Sequence, residues 1–98
     1  MQNETKFTPG PWFTKREGWS TVYVEARIDG GMIQEVAACG PTDAGQDQQQ
    51  ANARLIAAAP DLYEALESLV DEVTNHGEAD GAILDSARAA LTKARGEA

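Results

Sequence analysis

The sequence predicts an α+β domain in which a three-stranded antiparallel meander precedes a proline-kinked long helix and a second helix, the helices forming an antiparallel hairpin. Three observations carry this prediction. Residues 21–28 alternate between apolar and polar side chains, as a strand with one buried face does. The Asp-Gly-Gly sequence at 29–31 is typical of a hairpin turn. Across residues 47–75, apolar side chains recur at intervals of three and four, which indicates a helix.

The chain is predicted to be a single domain over residues 1–98, with a sheet part at 9–39 and a helical part at 47–95. Its 98 residues are close to the length at which one core is adequate. Much of the 42% hydrophobic content is alanine, which buries little area. We therefore expect self-association into a dimer or larger homo-oligomer to complete the core.

Acidic residues dominate the chain and are concentrated in its middle. Sixteen Asp and Glu residues against eight Lys and Arg residues give a net charge of −8, and residues 43–85 hold ten of the acids with Arg54 as their only base. This charge disfavours direct binding of nucleic acid or of an anionic membrane. Since the chain also lacks an apolar run of about 20 residues, we expect a cytosolic protein. The lone Cys39 fits a reducing compartment.

The strands are predicted from Trp12 onwards. Pro9-Gly10-Pro11 excludes a helix, so the bulky Trp12 is expected to close one end of the core. Trp12–Arg16 and Thr21–Ile28 are the first two predicted strands, and Met32–Cys39 is the third. The predicted buried face of the second strand comprises Val22, Val24, Ala26 and Ile28.

The register of the second hairpin has two solutions. A two-residue loop would place Glu35 on the buried face of the sheet. A three-residue loop with a bulge instead pairs Val24 with Val36 and Val22 with Ala38. We favour the bulged turn because it buries no charge.

The long helix is predicted to begin at Asp47, which with Gln50 matches a capping box. Its apolar face consists of a principal row and a second row, so it is wide enough to contact two neighbours. The principal row comprises Asn52, Leu55, Ala59, Leu62, Leu66, Leu69 and Val73, and the second comprises Ile56, Tyr63 and Val70.

Pro60 interrupts this helix, because it has no N–H to donate to the carbonyl of Ile56. The helix either bends or breaks into 48–58 and 60–75, and the unbroken phase of the principal row favours a bend. Gly77 is the predicted C-cap. A last helix, which Asp80 can cap, follows with an alanine-rich face that allows close approach to the first.

Nothing in the sequence predicts catalysis. There is one His and one Cys, with no pair at metal-ligand spacing and no combination of nucleophile and base. No glycine-rich phosphate loop is present either. We therefore expect no catalytic residues, no metal and no cofactor, and we predict that the protein is not an enzyme.

Two polar residues on the long helix suggest a ligand site. Asn52 occupies an apolar-row position, where it could set helix register or contact a ligand. Arg54 has no carboxylate three or four residues away, so it either pairs with Glu25 or Glu35 of the sheet or binds an anion near the helix N-terminus. The predicted ligand-binding residues are Asn52, Arg54, Arg27, Lys15, Arg16 and Trp12.

Two motifs carry a family resemblance. The segments 8–12 (TPGPW) and 51–62 (ANARLIAAAPDL) resemble those of a widespread family of small phage and prophage proteins, which continue from a TPGPW-like start through a few strands to an ANARLIAAAPDLLEAL-like helix. The resemblance covers most of the chain in order and spacing. It implies a phage origin and a location in the cytoplasm of the bacterial host.

The resemblance also implies an accessory role, for which counter-defence is the leading expectation. In one mode, the protein sequesters a small anionic nucleotide signal in a pocket at an oligomer interface, a layout similar at the fold level to that of phage anti-Thoeris sponge proteins. Alternatively, the acidic helix face imitates nucleic acid and inhibits a host defence protein. A simply solvated acidic face and a partner-binding module that uses the principal row are further interpretations. The acidic face comprises Asp61, Glu64, Glu67, Asp71 and Glu72.

Overall fold

A three-stranded antiparallel sheet precedes three helices in the computed structural model, which describes residues 6–77 and 81–97. The predicted α+β fold is thereby confirmed. The strands pair in the order β1-β2-β3. The elements are β1 (Trp12–Glu17), β2 (Thr21–Arg27), β3 (Ile33–Cys39), α1 (Gln46–Ala57), α2 (Ala59–His76) and α3 (Gly81–Arg95). Among the described residues, no helix combines the length and the apolar character needed to cross a membrane.

The chain divides into two compact units at Pro60. Phe7–Pro60 contains the sheet and α1, whereas most of α2 and all of α3 belong to the second unit. Of the long helical stretch predicted at 47–95, only the first part therefore belongs with the sheet.

The alternation of β2 correctly predicts which of its residues are buried, except at the end of the strand. Val22, Val24 and Ala26 are fully buried. Ile28 is 37% exposed, so its predicted place in the core is wrong. The strand ends at Arg27, and the N–H of Ile28 instead donates to the carbonyl of Met32 at 2.8 Å in the turn.

The β2–β3 turn has the predicted three-residue loop, but the register beyond it differs from the prediction. Gly30 and Gly31 have φ values of +79° and +81°, which glycine adopts without strain. Away from the turn, Val24 of β2 pairs with Ala37 of β3, and Val22 pairs with Cys39. The predicted pairs were Val24 with Val36 and Val22 with Ala38.

The register shift between Val24 and Glu25 places a bulge within β3 rather than at the turn. Glu35 lies opposite Glu25 on the open face of the sheet, while Val24 is opposite Ala37 on the buried face. Val36 is the extra residue, and both it and Ala37 pack against the core. The bulge therefore keeps the charge of Glu35 outside while it adds one more apolar side chain inside.

Helix α1 covers the buried face of the sheet. Its Ala53 joins Val22 and Val24 in the core, and Trp12 is half-buried against them, as predicted. The helix begins at Gln46 after Gly45, which has a φ of +96° and provides no side-chain cap. The predicted capping box at Asp47 and Gln50 is therefore wrong. Asp47 lies one position inside the first turn, where its charge favours the helix N-terminus.

A buried glutamine fixes α1 on the sheet. Gln49 is 1% exposed, and its Nε2 donates to the carbonyls of Ser20 at 2.8 Å and Cys39 at 2.9 Å. Its Oε1 accepts a hydrogen bond from Arg16 Nη1 at 3.3 Å. Both N–H groups and the oxygen of the amide are thus engaged. Since Ser20 precedes β2 and Cys39 ends β3, Gln49 joins the helix to one end of the sheet.

The long helical stretch is interrupted at Ala58, which separates α1 from α2 with φ −81° and ψ −7°. The structure therefore has two successive helices in place of the single bent helix that we favoured. Pro60 causes the interruption because it cannot donate to the carbonyl of Ile56. Its buried ring packs on Gly10, where an added Cβ would lie 3.0 Å from the Cβ of Pro60.

Helices α2 and α3 form the antiparallel hairpin. Arg95, at the end of α3, contacts Tyr63 near the start of α2, whereas Arg88 donates to Thr74 near its end, at 3.1 Å. The first helix of the hairpin ends with Gly77 in the predicted C-cap, with φ +66°. The predicted cap of α3, Asp80, lies outside the described residues.

The packing of Gly10 on Pro60 predicts a cost for any side chain at Gly10. Gly10→Ala should lower the free energy of unfolding by about 1–3 kcal/mol, because the methyl group overpacks this contact. Gly40→Ala is the matched control, since nothing lies within 4 Å of its Cβ position. Chemical denaturation measures both, and equal stability of the two variants would contradict the contact.

The amide of Gln49 predicts a second loss of stability. Gln49→Ala removes the donor to the carbonyls of Ser20 and Cys39, so it should cost about 2–4 kcal/mol. The exposed neighbour Gln48→Ala provides the control, with a change within about 0.5 kcal/mol. A Gln49→Ala variant as stable as this control in urea titrations would show that the amide is dispensable.

Candidate functional site

The six predicted ligand-binding residues lie in different places. Trp12 and Arg16 extend from the face of β1 that α1 covers, because their cross-strand partners on β2 are buried there. Both are engaged within the chain. Trp12 Nε1 donates to the carbonyl of Thr8 at 3.0 Å. Arg16 donates to the side-chain oxygens of Gln49 and Gln50, each at 3.3 Å.

Lys15 and Arg27 lie on the opposite, open face of the sheet, since neighbouring strand residues point to opposite sides. Lys15 Nζ is 4.0 Å from the carboxylate of Glu17. The guanidinium carbon of Arg27 is 5.9 Å from the ring centre of Phe13, a cation–π distance. The sheet therefore separates these two cations from Arg16.

Asn52 and Arg54 are both exposed on α1. Arg54 makes no ion pair within 4.0 Å to any carboxylate of the described residues, including the proposed partners Glu25 and Glu35. Because the helix breaks at Ala58, Arg54 lies in the last turn of α1 rather than near its N-terminus. The helix dipole there favours a cation over an anion. The nucleotide site stays a prediction, and this geometry does not favour it.

The acidic residues of α2 divide into two groups. Glu67 is directed at α3, where its Oε2 accepts a hydrogen bond from Arg95 Nη2 at 3.0 Å. The other four acids are exposed, and α2 carries no Lys or Arg that could neutralise them. Within this group Glu72 lies 3.0 Å from His76 Nε2. The four exposed acids are Asp61, Glu64, Asp71 and Glu72.

The principal apolar row of α2 was predicted to pack against another helix, but two of its leucines are largely exposed. Leu62 is 55% exposed and Leu69 is 58% exposed. The second row, with Tyr63 and Val70, is buried instead. We call the principal row of this helix the apolar stripe. It comprises Leu62, Leu66, Leu69 and Val73, of which Leu66 and Val73 are half-buried.

Contacts with α3 explain which row is buried. Arg95 Nε donates to the hydroxyl of Tyr63 at 2.6 Å, and Leu91, one turn earlier on α3, is buried. The hydrogen bond to Tyr63, and after it the bond to Glu67, raises the pKa of the Arg95 guanidinium. These polar contacts orient the side of α2 that carries Tyr63 and Glu67 towards α3. The apolar stripe therefore lies next to the interface between the two helices and not within it.

Helix α3 extends the apolar stripe. Arg88 and Arg95 contact α2 along one edge of the hairpin. At 100° per residue, Ile83 and two alanines fall on the other edge of α3, the edge next to the stripe. Ile83 is 70% exposed. We call this combined surface the hairpin apolar face. It comprises the apolar stripe together with Ile83, Ala90 and Ala94.

The arginine contacts predict how the hairpin responds to substitution. Arg95→Ala should lower the thermal midpoint, because it removes the donor to Tyr63 and Glu67, whereas the exposed Lys93→Ala should leave it unchanged. Arg95→Lys should recover the midpoint only in part, since an ammonium lacks the fork that reaches both partners.

The pH dependence of this contribution follows from the sign of the pKa change. The pKa of Arg95 is higher in the folded than in the unfolded state. Its charged form therefore stabilises the fold at every pH below the unfolded-state pKa, and this stabilisation is lost only as the pH rises through the folded-state pKa. For an arginine, that loss occurs only in strong alkali. The difference in midpoint between Arg95→Ala and the parent should therefore be the same at pH 5 and pH 9, and a difference that disappears by pH 9 would contradict the assignment.

Comparison with known protein families gives a match over the whole chain. A family model described as Salmonella phage P22 protein Y8K6 matches residues 1–98, the whole chain. Searches of curated proteins and of solved structures gave no match. The match agrees with the resemblance to small phage proteins carried by the segments 8–12 and 51–62. The chain belongs to the family of the Salmonella phage P22 protein Y8K6.

Proposed function

We propose that this protein is a non-enzymatic phage accessory protein that counters a host defence by binding a host protein through the hairpin apolar face. The observation that carries the proposal is the exposure of Leu62, Leu69 and Ile83 on one side of a hairpin that packs by its other residues. Large exposed apolar patches on a soluble protein mark sites of interaction with other molecules.

The energetics of burial support this use of the face. Complete burial of a leucine or isoleucine side chain contributes about 1.5–3 kcal/mol. Leu62, Leu69 and Ile83 are each more than half exposed, so covering all three would contribute roughly 3–5 kcal/mol before the cost of association. This is enough for these residues to act as anchors, with the remaining affinity coming from surrounding contacts.

The charge of α2 supports a protein partner of opposite sign. Five carboxylates and no Lys or Arg give the helix a negative field, which steers a basic surface towards it and disfavours acidic ones. This retains the acidic-inhibitor hypothesis in a modified form, in which the carboxylates select the partner and the apolar side chains bind it. Sequestration of a nucleotide is the competing hypothesis. Of the four cations of the predicted site, Arg54 is the one whose side chain makes no hydrogen bond, ion pair or cation–π contact within the described residues.

The test is photocrosslinking in host cells. A photoreactive residue in place of Leu69 should capture one dominant host protein. The same residue in place of the exposed Ala89, which at 100° per residue lies on the far side of α3 from the face, should not. Adding Leu62→Ser to the variant that is photoreactive at position 69 should remove the adduct. With the captured partner purified, Leu62→Ser/Leu69→Ser should weaken binding by about 10–100-fold.

Leu55→Ser is the matched control, because Leu55 is a 65% exposed leucine on α1 and lies outside the hairpin. It should leave the affinity unchanged. Apart from a failure of position 69 to capture any host protein, two results would overturn the proposal. One is crosslinking from position 69 to a second copy of the chain alone, which would make the face a homo-oligomer interface. The other is a nucleotide-mass adduct in native mass spectrometry that Arg54→Ala removes while the leucine variants retain it.

A further inference from the structure

We infer that the segment held by the hairpin apolar face is an amphipathic helix with Lys or Arg residues beside its apolar row. This inference rests on the proposed function and specifies the partner. It follows from three properties of the face: the spacing of its leucines, the small side chains along α3, and the position of the carboxylates at its border.

The spacing of the apolar stripe fits a helix. Leu62, Leu66, Leu69 and Val73 follow one another at intervals of four, three and four, the spacing by which one helix packs lengthwise against another. At 1.5 Å per residue, the stripe extends for about 16 Å, or three turns. A single loop or a strand end would cover only part of this length, whereas a helix of equal length covers all of it.

The α3 side of the face leaves room for a third helix. Ala90 and Ala94 carry only a methyl group, and Ile83 is the one large side chain on this edge of α3. Small side chains beside a row of leucines produce a shallow groove, into which the apolar ridge of another helix can fit. Arg88 and Arg95 bind α2 on the opposite edge, so they do not obstruct it.

The carboxylates specify the charge of the occupant. At 100° per residue, Glu72 lies next to Leu69 on the side of the stripe away from α3, where it also contacts His76. Asp61 lies about three turns earlier and slightly further round on the same side, still within reach of a long Lys or Arg side chain. A helix seated on the stripe would bring its own flanking residues close to both. Lys or Arg at those positions would be complementary, and Asp or Glu would be repelled.

The same carboxylates disfavour a second copy of this chain as the occupant. The α2 helix of another copy would add five more carboxylates and no Lys or Arg to the interface. Of the three bases on α3, Arg88 and Arg95 are already engaged on the other edge of the hairpin. A basic helix from a different protein therefore fits the charges of the face better than self-association does.

The inference is tested with two synthetic peptides and the full chain. The peptides are about five turns long with the same leucine row, and differ only in having Lys or Glu at the flanking positions. The Lys peptide should bind, gain helical circular dichroism and weaken as salt rises. The Glu peptide should bind at least about tenfold more weakly.

Variants of the chain assign the two contributions. Leu62→Ser/Leu69→Ser should abolish binding of the Lys peptide, while Leu55→Ser should leave it unchanged. Asp61→Lys/Glu72→Lys should reverse the preference in favour of the Glu peptide. Equal binding of both peptides, or binding without a gain in helicity, would overturn the inference. A dimer of the unmixed chain in sedimentation that Leu62→Ser/Leu69→Ser dissociates would also overturn it.

Failure of this inference is distinguishable from failure of the proposed function. If photocrosslinking from position 69 captures a host protein, but the crosslinked segment is not a basic helix and the peptides bind equally, only the inference is rejected. If position 69 captures no host protein, the proposed function itself is rejected.

Discussion

The hydrogen bonds of the Gln49 side chain are the constraint on which the arrangement of the sheet and α1 depends. The core between them is small, with Val22, Val24 and Ala53 at its centre, and alanine and valine alone would allow the helix to slide along the sheet. A buried amide that donates to two carbonyls at one end of the sheet permits a single position. Displacement of the helix would break both bonds and leave the buried amide itself unsatisfied.

Pro60 has a comparable role at the other end of α1. Its missing N–H separates two helices whose apolar residues are in phase, and its ring fills the space left by the absent side chain of Gly10. The two segments of the family resemblance, 8–12 and 51–62, are thus in contact through one glycine and one proline. Glycine at position 10 and proline at position 60 are explained by the same contact, in which the proline ring packs closely on the glycine backbone at the end of α1.

The three strands and the turn between the second and third were predictable from the sequence, because alternation and turn chemistry are local properties. The register beyond the turn was not, since the bulge at Val36 depends on packing against the core. The sequence predicted the buried row of α2 wrongly, since both rows are apolar and they lie only one residue apart. The choice between them depends on Arg95, whose contacts with Tyr63 and Glu67 cross between helices and leave no trace in the periodicity of either. The sequence did contain one indication. Tyr63 of the second row and Glu67 lie four residues apart on the same side of α2, where both can bind one arginine of a neighbouring helix.

The predicted ligand site illustrates the same limit. Arg54 was placed near a helix N-terminus only because α1 and α2 were treated as one helix, and the interruption at Ala58 makes it a C-terminal residue. Lys15 and Arg16 are neighbours in sequence but lie on opposite faces of the sheet. The role of Gln49 could not be predicted, because it binds the backbone carbonyls of Ser20 and Cys39. These residues are 29 and 10 positions away in the chain, and no sequence pattern identifies such partners.

The hairpin separates the residues that stabilise it from those that we propose bind a partner. Arg88 and Arg95 join α3 to α2 through their hydrogen bonds. In contrast, Leu62, Leu69 and Ile83 contribute little to the fold, because most of their surface is already in water. Polar substitutions at these three positions should consequently be neutral for folding. A loss of binding in such variants is then attributable to the surface itself, which makes the hairpin apolar face a surface whose function can be tested without disturbing its structure.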